Sequence, residues 1–454
     1  MKAEAAAHPH KLRRTLTAID VTAIGIGSII GAGIFVLVGV AAATKAGPAI
    51  ILSFIVAGIA CFFVALCYAE LASTIPIAGS AYTFSYASMG ELIAWMIGWD
   101  LILEYSMGGL AVSIGWSGYI VEGFASAGIH LPTYLTAGPF VEGGFVNLPA
   151  VFIVLLLTFI LVIGTKESAR FNLIIVIIKV SVLVFIIIVG MRYFDGGNLS
   201  PFFPYGGLGV FLGAGLIFFA FIGFEAICTT AEEVKNPEKN LPLGIMMSLI
   251  ICTILYILAA TVLVGMVPFY ELNVPAPYGT AFRMNDAPWA AGLISLGAIA
   301  GITSVLLVSL LAQPRVLFAM SRDGLIPKKI AQVHPRFGTP YIATLTVGIV
   351  VAFMAAFLPI EVVAELVNIG TLFAFTLVCL AIPVLRKKDP DLHRPFRTPL
   401  VPLVPLLGAG FSIILMLSLP PLTWFRFFLW LGLGFIIYAN YGYYKSKLKQ
   451  EVCQ

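Results

Sequence analysis

The chain has 454 residues, of which 60% are hydrophobic and only 11% charged, against about a quarter charged in a soluble domain. That balance excludes a soluble globular protein and defines an all-α, polytopic membrane protein. The net charge of +4 gives no reason to invoke nucleic acid.

The N-terminal tail, residues 1–18, is short and polar and carries KLRR at 11–14. The apolar run behind it is too long and wrongly flanked for a cleaved signal peptide, so it reads as a true span. Stretches of about 20 apolar residues, enough to cross ~30 Å of hydrocarbon, fall at 19–43, 49–73, 91–121, 148–164, 169–191, 209–230, 241–267, 288–318, 341–357, 361–385, 400–418 and 425–444, giving twelve predicted spans. With both termini cytoplasmic, 21 of the 26 Lys and Arg lie inside, four outside (Lys45, Arg192, Arg283, Arg426) and one, Lys179, within a span. The positive-inside rule then fixes that orientation. Five of the six cysteines lie in spans and all five histidines in the tail or loops, so neither a disulfide framework nor a His-based metal site is expected, and no cofactor.

The first span contains GSIIGAGIF at 27–35. Glycine costs about 1 kcal/mol relative to alanine in a helix interior, and hydrocarbon offers no water to a loosened backbone. Span 6 repeats the anomaly in GLIFFAFIGFEAICTTAEEV, where Gly223 interrupts the run and Glu225 follows. A lone Gly27-xxx-Gly31 would most simply be a helix-packing face. Two interrupted spans, five apart, instead suggest paired discontinuous helices, whose freed backbone groups become ligands in secondary transporters. A second half-helix starting near Gly31, Ala32 and Gly33 would present N–H groups to a carboxylate. Carbonyls around Ile29, and those of Phe219, Ala220 and Ile222, would suit an ammonium. Together these describe an α-amino acid as the small-molecule partner.

Long stretches carry a resemblance: GIGSIIGAGIFVLVGVAA in span 1, AGSAYTFSYASMGELIAWMIGWDLILEY into span 3, FFAFIGFEAICTTAEEVKNPEKNLPLGI across span 6 and LFAMSRDGLIPKKIAQVHPRFGTPY after span 8. The chain resembles the amino acid–polyamine–organocation superfamily, and within it the bacterial members of the cationic amino acid transporter family. The resemblance implies about twelve helices in a five-plus-five inverted repeat of LeuT type: residues 19–191 and 209–385 as the two repeats, broken helices 1 and 6, two further helices over 400–444 and a cytoplasmic tail over 445–454. It also implies that spans 1, 3, 6 and 8 surround the site, that Gly31–Gly33 hold the substrate carboxylate, and that Phe219 closes over the substrate. An L-amino acid permease of the plasma membrane is the function implied.

Lys179, in FNLIIVIIKVSVLVF, lies nine residues from Arg170 and thirteen from Arg192, or about 13 and 20 Å along a helix. That is too deep for easy snorkelling, and an intramembrane charge is a functional candidate by default. Proton-coupled relatives carry a lysine here. Since burial works against its charged form, Lys179 is the candidate for proton coupling, with Glu225 a weaker one; the plainer alternative is a permanently charged strut on the carbonyls of span 1. Asp100 and Glu104 share a helix face and read as cavity-side or helix-pairing acids, with a proton relay as the sharper reading. Glu70 and Glu365 read as interfacial.

Candidates for the side-chain pocket are Ile26, Met107, Ala111, Ser113 and Phe224, with Ser309 on span 8 leaving room for a longer or cationic substrate. Small neutral and cationic amino acids both stay open. An enzyme would need an intramembrane nucleophile and base, a channel a filter or charged ring; a sensor would bind without flux. The live rival within transport is an exchanger with no net proton movement. The outer loop at 122–147 contains no cysteine, so a disulfide-linked ancillary subunit is not expected.

Overall fold

A computed structural model describes residues 15–74, 81, 82, 84, 85, 90–163, 169–335, 337 and 339–445. The KLRR tail, most of the loop before the third span, Lys166, Arg336 and the tail from 446 lie outside those residues.

Each of the twelve apolar stretches carries a helix. In chain order these are α1 Ala18–Ile29, α2 Ile50–Thr74, α3 Glu91–Ser126, α4 Leu148–Ile163, α5 Ala169–Gly190, α6 Gly206–Ile217, α7 Pro237–Met266, α8 Pro288–Arg322, α9 Tyr341–Ala355, α10 Ile360–Lys388, α11 Leu403–Leu417 and α12 Pro421–Ile437. Among the described residues seven helical stretches are long and apolar enough to cross a membrane, and four more apolar helices (α1, α4, α9, α11) are shorter. Beyond helices, the described residues hold only two isolated β-bridges. The fold is that of an all-helical membrane protein.

Local chemistry sets the ends. Thr17 caps α1 in a reciprocal box, its Oγ1 accepting from the Asp20 N–H at 3.4 Å and the Asp20 carboxylate accepting from the Thr17 N–H at 2.8 Å, which satisfies donors that a helix start leaves open. At Gly47 the φ of +63° turns the end of the first span towards α2, a conformation that glycine adopts without strain.

α3 runs through the middle, packed along α8 and α10, while α7 lies against α1 and α2, and α5 against α1 and α8. α12 is docked by a tryptophan pair: Trp99 and Trp430 stack at 4.5 Å, and each indole N–H donates to the other's backbone carbonyl, at 2.9 and 3.2 Å. Such polar handles need a partner where water is absent. The outward faces of the helices are apolar, with Phe152, Ile174, Leu296, Phe353 and Phe425 among the exposed side chains, as expected of surface in contact with lipid.

Glu70, read from the sequence as interfacial, is buried within the protein near the end of α2. It is 1% exposed and accepts from Arg386 at 3.0 and 2.7 Å and from the Thr398 N–H at 2.7 Å, with Arg394 at 3.5 Å. The reason is its partner set: two arginines and an amide of a distant loop supply the charge and hydrogen bonds that a buried carboxylate requires. Near the same end of the bundle, the N–H groups of Thr15 and Leu16 donate to the Glu233 carbonyl, and the Lys235 N–H to the Leu16 carbonyl. The approach to α1 is thereby tied to the segment that leaves the sixth span.

Candidate functional site between two broken spans

The first span breaks where its glycines cluster. α1 ends at Ile29, Ile30 is extended (φ −73°, ψ 105°), and the chain becomes helical again at Ala32, winding as a wide π-helix over Gly33–Leu37 before Val38–Ala41 and Ala42–Ala46. In the sixth span, α6 gives way to a tight 3₁₀ turn over Phe218–Phe221, Ile222 is extended (φ −62°, ψ 138°), Gly223 takes φ +120°, and a second 3₁₀ stretch runs over Phe224–Glu233.

The glycines are there because the two breaks touch. A Cβ on Gly33 would stand 2.3 Å from Ala220 Cα, and one on Gly223 2.6 Å from the Ser28 carbonyl oxygen, at a φ that L side chains rarely adopt. Each interruption is thus pressed against the backbone of the other, which leaves no room for a side chain.

Side chains from other helices take up the loosened backbone. Lys179 Nζ of α5, fully buried, donates to the Gly27 carbonyl at 2.6 Å. The Tyr256 hydroxyl of α7 donates to the Ile29 carbonyl at 3.0 Å, and that of Tyr119 on α3 to the Phe35 carbonyl at 2.7 Å. Asn368 of α10 donates its amide to the carbonyls of Gly215 and Leu216 at 2.8 and 2.9 Å, just ahead of the second break. Glu225 folds back so that its Oε2 accepts from the Gly223 N–H at 2.9 Å. Among the described residues no carboxylate lies within ion-pair distance of Lys179, and Gly301 of α8 makes room for its stem, where a Cβ would sit 2.9 Å from Lys179 Cγ.

A cavity of about 70 Å³ opens between the breaks, roughly the space of two waters at liquid density. Of the residues expected at a substrate site, it is lined by Ile29, Gly31, Ala32, Gly33, Phe219, Ile222, Ser309 and Glu225. Ala220 is absent from the lining and packs instead beneath Gly33. Ile26, Met107, Ala111, Ser113 and Phe224 also fall outside it. The ring of Phe224 stands against Tyr68 at 5.7 Å and Phe375 at 5.2 Å, inside an aromatic cluster, and the Ser113 hydroxyl donates to its own helix at Leu110.

Residues not singled out from the sequence complete the wall: Tyr105, Gly108 and Val112 of α3, Val305 and Val308 of α8, and Val367 of α10; Glu104, read from the sequence as a cavity-side acid, lines it as a second carboxylate. The Ser309 hydroxyl donates to the Val305 carbonyl at 3.0 Å. The cavity therefore has backbone at one end, valines along its sides and two acids near the α3–span 6 face. Tyr256 and Asn368, which hold the breaks, had one available signal: a polar group in the middle of an apolar span.

An all-helical membrane protein with two interrupted helices enclosing a small cavity has the makings of a carrier. Residues 16–440 match the Amino acid permease family, to which this chain belongs. It is 49% identical over 440 residues to the Methylthioribose transporter of Bacillus subtilis, covering 97% of this chain and 95% of that protein. To the Branched-chain amino acid permease BcaP of the same organism it is 50% identical over 443 residues, with the same coverage. The vacuolar Cationic amino acid transporter 4 of Arabidopsis thaliana is 43% identical over 390 residues, 84% of this chain and 65% of that one. These relatives are transporters and not enzymes.

Proposed function

We propose that the chain is a secondary active transporter that imports an L-amino acid across the plasma membrane by alternating access, with both termini cytoplasmic and helices 1–5 and 6–10 as an inverted repeat. The observation that carries this reading is the contact of the two breaks, Gly33 on Ala220 and Gly223 on Ser28, beside a cavity. The substrate carboxylate meets the N–H groups at Gly31–Gly33, since the first donors of a helix have no intrahelical acceptor and carry its positive dipole end. The ammonium meets carbonyls of the sixth-span break and the two nearby acids. Ile29 contributes less than its position suggests, because its carbonyl already accepts from Tyr256.

For the side chain, the valines at 112, 305, 308 and 367 and the small cavity favour a short or branched aliphatic group, the kind of substrate named for one of the Bacillus relatives. Glu104 in the lining keeps a cationic side chain as the second reading. The relative named for methylthioribose adds a third substrate to test, a sugar with neither carboxylate nor ammonium.

Proton coupling is assigned to Lys179. Charged, its ammonium makes an ion–dipole bond to the Gly27 carbonyl; neutral, it donates only an ordinary hydrogen bond, about half as strong. Protonation thus changes how firmly α1 is held, and inward proton movement supplies about 2.3 kcal/mol per charge per 100 mV. The test is uptake into proteoliposomes of labelled L-valine, L-arginine and methylthioribose, with and without an inward proton gradient. Gradient-driven accumulation of valine supports the proposal. Uptake that ignores the gradient and requires amino acid preloaded inside makes the protein an exchanger.

A further inference from the structure

A second cavity, of about 270 Å³, lies at the end of the bundle where the first span finishes and α12 begins. Leu212 and Leu216 of α6 form one side, and the turn between α11 and α12 the other. Two charged groups line it, Lys45 from the last turn of the first span and Glu365 from α10. The Thr423 hydroxyl donates to one carboxylate oxygen of Glu365 at 2.7 Å. No ion pair joins Lys45 to Glu365, or either of them to another group, among the described residues. An ammonium and a carboxylate, both half-buried, therefore face one apolar-walled cavity without direct contact, with Arg426 the other cation near the carboxylate, which leaves room between them for a ligand that reaches both.

We infer that this cavity binds a zwitterion, with its anionic group on Lys45, its ammonium on Glu365 and its apolar part against the leucines. A free α-amino acid and the headgroup of phosphatidylethanolamine share that chemistry. The position gives binding a consequence. Asn368, three residues on from Glu365 in α10, holds the Gly215 and Leu216 carbonyls, and Leu216 also lines the cavity. A ligand bridging Lys45 and Glu365 thus ties the half of the first span beyond its break to the same helix that steadies the second break. It would bias the carrier towards the conformation in which these parts are together.

Native mass spectrometry of the purified protein in detergent, with added phosphatidylethanolamine or phosphatidylglycerol, tests the lipid source. Equilibrium dialysis with labelled L-valine tests the free amino acid. The variants are Lys45→Met, Glu365→Gln and Thr423→Val, the last removing the hydroxyl that Glu365 accepts while leaving both charges. Retention of phosphatidylethanolamine about tenfold above phosphatidylglycerol, the scale of one charged hydrogen bond, assigns the site to lipid. A second equivalent of valine assigns it to the amino acid. In either case Lys45→Met and Glu365→Gln must lose the binding and Thr423→Val keep it. Equal retention of the two lipids together with a single valine equivalent overturns the proposal, as does binding that survives Lys45→Met. Should Glu365→Gln fail to purify, Lys45→Met decides alone. Loss of valine uptake in Gly33→Val with this binding intact would separate the second cavity from the central one.

Discussion

In the first break, the carbonyls of Gly27 and Ile29 are held by side chains 152 and 227 residues away, Lys179 on α5 and Tyr256 on α7. The second break is capped from within its own turn, by Glu225 accepting the N–H of Gly223 two residues before it, and Asn368 is its main distant support. The first break thus owes its geometry to tertiary partners, one of them ionisable, and the second largely to local sequence. A change of charge at Lys179 acts on α1 directly and reaches the sixth span only through the contacts of Gly33 and Gly223. A carrier whose two interruptions were both self-capped would have no such point of control.

That contrast can be broken at its contact. Gly33→Val puts a branched side chain where a single Cβ already meets Ala220 Cα at 2.3 Å, so uptake is expected to vanish and thermal stability to fall by about 3 kcal/mol or more; near-normal uptake would show that the breaks are not in firm contact. Asn368→Ala leaves the Gly215 and Leu216 carbonyls without their donor and should cost about 2 kcal/mol in unfolding experiments. Tyr256→Phe deletes one hydroxyl from the distantly held break, an expected loss of about 1 kcal/mol, read as a roughly fivefold change in substrate affinity. Glu225→Gln keeps an oxygen acceptor for the Gly223 N–H, and its effect on stability should stay within about 0.5 kcal/mol. A large loss of gradient-driven uptake in that variant, with stability unchanged, would move part of the proton coupling to the sixth span.

The same contrast explains what the sequence made legible. Glycines clustered in GSIIGAGIF, an acid two residues after Gly223 and a lysine deep in an apolar run are local departures from a membrane helix, and each can be read where it stands. Tyr256 and Asn368 hold backbone groups 227 and 153 residues away, a pairing that no local pattern records. The valines of the cavity were hidden for another reason: a valine facing a substrate and one facing lipid are compositionally alike. The ion cluster around Glu70 was hidden too, because nearness to a span end says nothing about Arg386, 316 residues on. Phe224, read as a pocket residue by its neighbourhood in span 6, turns towards Tyr68 and Phe375, since a 3₁₀ stretch rotates its side chains differently from an α-helix.

The central claim is that coupling acts through the Lys179 bond to the first break. It is tested most directly by comparing wild type and Lys179→Ala in proteoliposomes, measuring proton-gradient-driven valine accumulation alongside gradient-free counterflow. The account predicts that the variant loses accumulation and keeps counterflow, because the cavity survives and the proton's hold on α1 does not. Accumulation at the wild-type level in Lys179→Ala would contradict it and leave the lysine as a strut.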